Sequence, residues 1–298
     1  MFVVGEIMST LALCFIVFSA LMHVLWNVQV KQSRDKTIFI WWMFIASSLL
    51  MNLLLPFLTS PFPRPGGTVL LLALAAAVCF VLYHLFNGRA YREGDLSLSY
   101  PLAQTSMIYV PIWGALILRE QMTFYGVIGI LCIVAGAYTV QLPQLSWAAL
   151  SRPLRNMGNP SVKAALAAGF IYSIGSILDK KGVSCYPPFY FTYILVMMMV
   201  VVMTVNLCRN RYRGRVLREW QHNRRLILWS GPVMLGSFIT FRYGLSLAPV
   251  GYAVAVRQVN VLFGVLIGVV FLKEACGRVR SLAAAMIFAG VVLIRMAG

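Results

Sequence analysis

Long apolar runs, each about the length of a membrane-spanning helix, occupy nearly the whole chain of 298 residues. A helix rises about 1.5 Å per residue, so roughly 20 apolar residues cross the hydrocarbon core of a bilayer. Only 11% of the residues are charged, against roughly 25% in an average soluble domain. The sequence therefore predicts an all-α polytopic membrane protein with no soluble domain. The ten predicted transmembrane spans are 7–30, 38–58, 68–90, 97–118, 122–140, 163–182, 188–208, 226–246, 249–272 and 278–296.

Basic residues are distributed unevenly between the loops that these spans define. The odd-numbered loops, with the span ends that adjoin them, hold 18 of the 25 Lys and Arg residues; the even-numbered loops and the C-terminus hold six, and Arg257 alone falls deep inside a span. Cytoplasmic loops of membrane proteins are enriched in Lys and Arg. We therefore expect a bacterial inner-membrane protein with the odd-numbered loops in the cytoplasm and both termini outside. The net charge of +17 then reflects topology and contact with membrane lipids, and no nucleic-acid partner is predicted.

An internal repeat relates the two halves of the chain. At an offset of 154 residues, Gln104, Gly114, Arg119-Glu120 and Gly136 match Gln258, Gly268, Lys273-Glu274 and Gly290. At an offset of 149, Ala20, His23, Asn27 and Lys31 match Gly169, Tyr172, Ser176 and Lys180. Two copies of a five-span unit must enter the membrane from opposite sides, which predicts a 5+5 inverted repeat that alternates access to a site between its halves. The predicted division is a first repeat over 1–145, a connecting loop over 146–162 and a second repeat over 163–298.

The fourth span of each half is polar and rich in small residues, ends on a basic–acidic doublet, and leads into a Gly-rich fifth span. The second half carries the pattern from Tyr243 to Pro249, through Lys273-Glu274, to Gly290. This duplicated pattern resembles the EamA-type transporters of the drug/metabolite transporter superfamily. The first span, Ala20 to Asn27 followed by Lys31 and Asp35, is similar to permeases encoded beside phosphonate-degradation genes. The resemblance implies a secondary carrier or exporter of small molecules with no ATPase of its own.

Polar side chains recur at helical spacing on single faces of three spans. Such groups are costly to desolvate, so we expect these faces to meet the bundle interior or a wet cavity rather than lipid. The alternative is local: an Asn that bonds a neighbouring helix, or a His that is packed and hydrogen-bonded. The residues predicted here to contact the substrate are His23, Trp26, Asn27, His84, Tyr172 and Ser176.

Arg257 lies about eight residues inside the ninth predicted span, where facing lipid would cost several kcal/mol. Gln258 and Asn260 follow it, so three large polar groups fall within four residues. All eight acidic residues lie at or near span ends, so none is expected to neutralise Arg257 at the midplane, unless Asp179 or another such acid reaches inward. We predict substrate contacts from Arg257, Gln258, Asn260 and the first-half counterparts Tyr100 and Gln104.

Small residues in the fifth and ninth spans predict close helix packing. Gly264 and Gly268 form a GxxxG pattern, and Gly129 and Gly136 lie on one face of span five. Such faces let the backbones of two helices approach closely.

An interior Arg accompanied by two His favours an anionic or zwitterionic metabolite as the transported substrate. A flippase for a phosphate-bearing, lipid-linked substrate is an alternative, as is a drug efflux carrier, although the latter needs an exchangeable acid at the midplane. Protons are a candidate coupling ion through His23 or His84, and the chain is expected as a monomer or homodimer. With no HExxH, paired carboxylates or activated nucleophile, we predict no enzyme, no metal and no cofactor.

Overall fold

A computed structural model describes residues 8–58, 61–93, 102, 105–140, 142, 144–146, 158–208, 212–270 and 277–296. All secondary-structure elements assigned within these ranges are helices, as predicted. In chain order the α-helices are α1 (Thr10–Gln32), α2 (Lys36–Leu54), α3 (Gly67–Glu93), α4 (Ser106–Ile117), α5 (Phe124–Thr139), α6 (Pro160–Cys185), α7 (Pro188–Leu207), α8 (Arg213–Ser246), α9 (Val250–Val256), α10 (Val259–Val270) and α11 (Arg278–Met296). A short 3₁₀ turn, Leu55–Phe57, extends α2.

Seven stretches of the described chain are long and apolar enough to cross a membrane by length and composition. They are Thr10–Gln32, Lys36–Phe57, Gly67–Ala90, Pro160–Cys185, Pro188–Leu207, Val250–Ile267 and Arg278–Met296. Large apolar side chains cover the outside of the bundle, among them Leu71, Leu116, Trp229 and Phe288, each more than half exposed. Lipid is the solvent that such a surface requires.

The eighth helix is longer than the predicted span, since α8 begins at Arg213 rather than at 226. The basic stretch expected to be a loop is therefore largely helical up to a kink at Asn223 (φ −118°, ψ 17°). Tertiary contacts hold this extension: the buried Glu219 carboxylate accepts from the backbone N–H of Asp35 (3.0 Å) and from the Asn223 amide (2.6 Å). The indole of Trp42 also donates to the carbonyl of Val216 (3.2 Å). Asp35 and Trp42 are distant from α8 in the chain, so the local pattern did not indicate the extension.

The packing of α5 on α11 is pseudo-symmetric about the centre of the bundle. A Cβ added at Gly129 would lie 2.7 Å from the carbonyl oxygen of Gly290, and one added at Gly136 would lie 2.8 Å from that of Ala283. At the offset of 154, Gly129 corresponds to Ala283 and Gly136 to Gly290, so each contact is the repeat image of the other. The predicted packing role of Gly129 and Gly136 is confirmed.

The same symmetry governs the other helices that join the halves. α3 packs mainly on α6, and α8 mainly on α1. Gly244 of α8 lies against Ile16 of α1, while its repeat equivalent Ala90 clusters with Ala165, the equivalent of Ile16. The predicted 5+5 arrangement is therefore reproduced contact by contact.

The close helix packing predicted at Gly264 is wrong. It is exposed on α10, and no atom of the described residues lies within 4 Å of a Cβ placed there. The GxxxG pattern in the ninth span therefore does not bring Gly264 against a neighbouring helix in this structure, because α10 turns that position outward.

The doublet Arg119-Glu120, which the repeat singled out, ties α4 to the start of α9. Arg119 adopts a left-handed backbone conformation (φ 58°), and the N–H of Glu120 bonds back to the carbonyl of Gly114 (3.1 Å), as at many helix C-termini. The Glu120 carboxylate then accepts from the backbone N–H of Val250, with both oxygens at 2.9 Å. A carboxylate at a helix N-terminus accepts from a free backbone N–H and interacts favourably with the positive end of the helix dipole.

Candidate functional site

A cavity lies between the two repeats. Its walls come from the first, third and fourth helices of each half: α1, α3 and α4 on one side, and α6, α8 and the α9–α10 pair on the other. The lining residues are His23, Trp26, Phe80, Tyr83, His84, Ser106, Tyr172, Asp179, Phe238, Phe241, Arg242, Val254, Arg257, Gln258 and Asn260.

The ninth span is broken where it borders the cavity. α9 ends at Val256, α10 begins at Val259, and Arg257 caps the end of α9. Tighter bonds cross the junction: the N–H of Gln258 bonds the carbonyl of Ala255 (2.9 Å), and that of Asn260 bonds the carbonyl of Arg257 (3.1 Å). A short tightened turn of this kind changes the direction of a helix, and discontinuous helices at mid-membrane commonly form the binding sites of transporters.

Arg257 is buried, with 9% of its surface exposed, and neutral groups surround its guanidinium. Its Nη2 lies 3.1 Å from His23 Nδ1 and 3.4 Å from Ser237 Oγ, and its Nη1 lies 3.4 Å from the hydroxyl of Tyr172. The ring of Phe241 lies beneath it, with 4.1 Å between the guanidinium carbon and the ring centroid. Among the described residues no carboxylate pairs with Arg257, and its buried Nε has no hydrogen-bond partner.

The contact with Arg257 also determines the state of His23. A guanidinium can only donate, so His23 Nδ1 must accept, and the imidazole is neutral with its proton on Nε2. A protonated His23 would place a second positive charge 3.1 Å from Arg257.

Asp179 and Arg242 form a buried ion pair on the cavity wall. Arg242 Nε donates to Asp179 Oδ1 at 2.8 Å, and both side chains are at most 3% exposed. The Arg242 Nη1 also donates to the carbonyl of Phe238 (3.2 Å). Asp179 thus reaches inward, which is the exception that the sequence left open. Its charge is cancelled by Arg242, so the charged side chains of the described wall, Asp179, Arg242 and Arg257, leave one net positive charge.

Aromatic rings form the wall contributed by the first repeat. Trp26 packs edge-on against His23 (4.6 Å between centroids) and lies 6.3 Å from His84. Tyr83 contacts both His84 (5.2 Å) and Tyr172 (4.9 Å). These rings offer an apolar surface with a few polar edges, as is usual in small-molecule sites.

Seven of the eleven predicted contact residues line the cavity together. They are His23, Trp26, His84, Tyr172, Arg257, Gln258 and Asn260. Asn27 is exposed and donates to the carbonyl of His23 (2.8 Å), and the Ser176 hydroxyl donates to the carbonyl of Tyr172 (2.9 Å), so both bond within their own helices away from the cavity. Tyr100 and Gln104 lie outside the described residues.

Sequence reasoning missed Asp179 and the aromatic residues of α3 and α8 as parts of the wall. On α6 the prediction followed Tyr172, Ser176 and Lys180, but the face that reaches the cavity continues seven residues on from Tyr172, at Asp179. Lys180 instead donates to the carbonyls of Leu245 (2.9 Å) and Ala248 (2.8 Å) at the end of α8. Two turns of helix return a side chain to the same face, so spacing of seven was the available signal.

Comparison with known proteins gives a family for this arrangement. The model of the EamA-like transporter family matches the chain twice, at residues 10–142 and 159–296. A solved crystal structure of another protein superposes with a TM-score of 0.72 over 96% of both chains, and at 16% sequence identity this likeness concerns the fold alone. No curated protein matches the chain.

Proposed function

Since this chain belongs to the EamA-like transporter family, we propose that it carries a small anionic or zwitterionic metabolite across the membrane by alternating access. The proposed substrate site is the cavity between the repeats, with Arg257 binding the anionic group and Gln258 and Asn260 beside it. An inverted repeat with a broken helix at its centre is suited to this mechanism, because the two halves can rock around a site that lies between them.

The observation that carries the proposal is the environment of Arg257. A buried guanidinium in a membrane protein is costly and needs an acceptor of negative charge. Within the described part of the chain, Arg257 has only neutral acceptors and keeps a buried Nε without a partner. A substrate carboxylate or phosphonate would supply the missing charge with bidentate geometry.

The two alternatives make different demands on the same cavity. A drug efflux carrier for cations needs an acid whose negative charge is not balanced, and the charge of Asp179 is balanced by Arg242. A flippase would use Arg257 for a phosphate but would also move a lipid tail through the bundle. The class of substrate that the protein transports therefore distinguishes both alternatives from a carrier of anionic or zwitterionic metabolites.

The test is uptake into vesicles that contain the purified protein, with pentanoate as the anion, norvaline and 5-aminopentanoate as zwitterions, and pentylamine as the cation. We expect uptake of pentanoate or of a zwitterion, and a fall of roughly 10- to 100-fold in Arg257→Gln, since a hydrogen bond to a charged group contributes about 1.5–3 kcal/mol. The matched control is Arg218→Gln, an exposed Arg on α8 that donates to the carbonyl of Gly214 (2.9 Å). It should transport as the native chain does.

Other results would replace the proposal. Uptake of pentylamine that Arg257→Gln leaves intact would identify a cation carrier. Movement of a fluorescent phosphate-bearing lipid between leaflets, without pentanoate or zwitterion uptake, would identify a flippase.

Location and orientation are part of the proposal. The alternation of basic residues supports a bacterial inner-membrane protein with odd-numbered loops in the cytoplasm, and the family resemblance supports export as the direction. A reporter fused to Gly298 should be active outside the cytoplasm, and activity confined to the cytoplasm would reverse the orientation. Export is checked by efflux from preloaded cells with and without the protein.

Protons are the coupling ion we propose to test first, with His84 rather than His23 as their carrier. His23 is held neutral against Arg257, whereas His84 contacts the rings of Trp26, Phe44 and Tyr83. A pH gradient should drive uptake in the native chain and fail to do so in His84→Gln.

A further inference from the structure

The ion pair on the cavity wall leaves one carboxylate oxygen for a ligand. Asp179 Oδ1 accepts from Arg242 Nε, whereas Oδ2 takes no hydrogen bond from any described residue and is not among the buried polar atoms that lack a partner. Asp179 also lines the cavity. A carboxylate oxygen in this position can accept a hydrogen bond from an ammonium group.

Arg242 orients the Asp179 carboxylate but engages only one of its two oxygens. Two contacts with Phe238 hold the guanidinium of Arg242 in place. Its Nη1 donates to the carbonyl of Phe238, and its carbon lies 5.1 Å from the centroid of the Phe238 ring. Only Nε of Arg242 is engaged with Asp179, through a single hydrogen bond. The pair therefore orients Asp179, while the second oxygen takes no hydrogen bond from Arg242.

The position of Asp179 relative to Arg257 suits a ligand that carries both charges. The hydroxyl of Tyr172 contacts Arg257, and Asp179 lies two helical turns further along α6 on the wall of the same cavity. A cationic and an anionic group bound at these two places would belong to one molecule of metabolite size.

We propose that Asp179 is a specificity-determining residue that binds the ammonium group of a zwitterionic substrate, whose anionic group Arg257 binds. This inference rests on the proposed function and narrows its substrate from anion or zwitterion to zwitterion. Arg242 is then a positioning residue, since it acts through Asp179.

The same vesicle assay tests the inference with pentanoate, norvaline and 5-aminopentanoate. The three share one five-carbon chain, and the two zwitterions place the ammonium group at different distances from the carboxylate. The native protein should take up one of the zwitterions at least about tenfold faster than pentanoate, a preference of the size that one hydrogen bond to a charged group supplies.

The informative variant is the double substitution Asp179→Asn/Arg242→Gln, because it removes the pair without changing the net charge of the cavity. It also avoids the uncompensated Arg242 that Asp179→Asn alone would leave. We expect the ratio of zwitterion uptake to pentanoate uptake to fall from at least about tenfold to about one, because only the zwitterion loses a partner for its ammonium group. The control Asp35→Asn/Arg215→Gln removes the ion pair at the start of α2 and should keep the native preference.

Three results would overturn the inference. They are a native protein with no preference for either zwitterion, a preference that survives in the double variant, and an equal loss of zwitterion and pentanoate uptake in a protein that still elutes as one species. The last result would mean a structural or proton-carrying pair. Failure of the proposed function is a separate outcome, seen when Arg257→Gln leaves pentanoate and zwitterion uptake unchanged.

Discussion

The two repeats share a scaffold but contribute different chemistry to the cavity between them. The first repeat supplies rings and a hydroxyl, whereas the second supplies all three charged side chains of the described wall, Asp179, Arg242 and Arg257. At the repeat offsets these three positions correspond to Val30, Gly88 and Ala103 in the first half. The charges therefore lie where the other copy has small or apolar residues.

The helix contacts show the opposite behaviour. Gly129 and Gly136 meet Gly290 and Ala283 in mirrored pairs, so the positions that join the halves remain equivalent. Even the cavity keeps two equivalent positions, His23 and Tyr172, which approach Arg257 from opposite halves. Symmetry is retained where backbones touch, and it is lost where a ligand must be recognised.

The largest expected effect comes from separating the charges of the second repeat. Replacing either Asp179 or Arg242 by Leu should lower the free energy of unfolding by about 3–5 kcal/mol, because the remaining charge is buried without compensation, while the double Leu variant should be close to neutral. Unfolding in detergent with a denaturant titration measures the cycle. Additive losses in the double variant would contradict an obligatory pair.

A smaller effect tests the equivalence of the scaffold. Gly136→Ala and Gly290→Ala should each cost about 1–3 kcal/mol, since both methyl groups would press on backbone atoms of the opposing helix. Gly264→Ala is the matched control, because the structure has open space there and Ala favours a helix by about 1 kcal/mol. Clearly unequal losses of unfolding free energy in Gly136→Ala and Gly290→Ala would show that the two sides of the α5–α11 contact are not equivalent.

The smallest effect concerns the two equivalent partners of Arg257. His23→Leu and Tyr172→Phe should each raise the KM for pentanoate by roughly 2- to 10-fold, since each removes one of the neutral acceptors that orient the guanidinium. Ser176→Ala is the control, because its hydroxyl bonds within α6 and does not line the cavity. A change in maximal rate with KM unaffected would assign these side chains to the transport cycle rather than to binding.

Much of the fold was predictable because apolar length and internal repetition are local, additive signals. The predicted ten spans and the 5+5 arrangement agree with the structure and the family match. Two features were not predicted: the α8 extension, where Glu219 meets Asp35, and the break of the ninth span at Arg257. The predicted division at 145 and 163 stays a prediction.

The candidate site was predictable only in part, for a physical reason. A polar stripe shows which residues avoid lipid, and that logic placed His23 and Arg257 correctly in one cavity. It could not show that Asn27 bonds its own helix, or that Asp179 turns inward to Arg242. The partner of Asn27 is 4 residues away in the chain and the partner of Asp179 is 63 residues away, and a polar stripe identifies neither of them.

The sequence by itself determined that this protein spans a membrane as two inverted five-helix units, because hydrophobic length and a five-span repeat leave few other arrangements. It also predicted that Arg257 faces the interior and finds an anion or another acceptor there. Only the tertiary structure decided which acid meets which base, because side chains from α6, α8 and the α9–α10 junction converge on the cavity from distant parts of the chain. That convergence leaves Arg257 without a carboxylate among the described residues and Asp179 with a partner, and the proposed substrate follows from it.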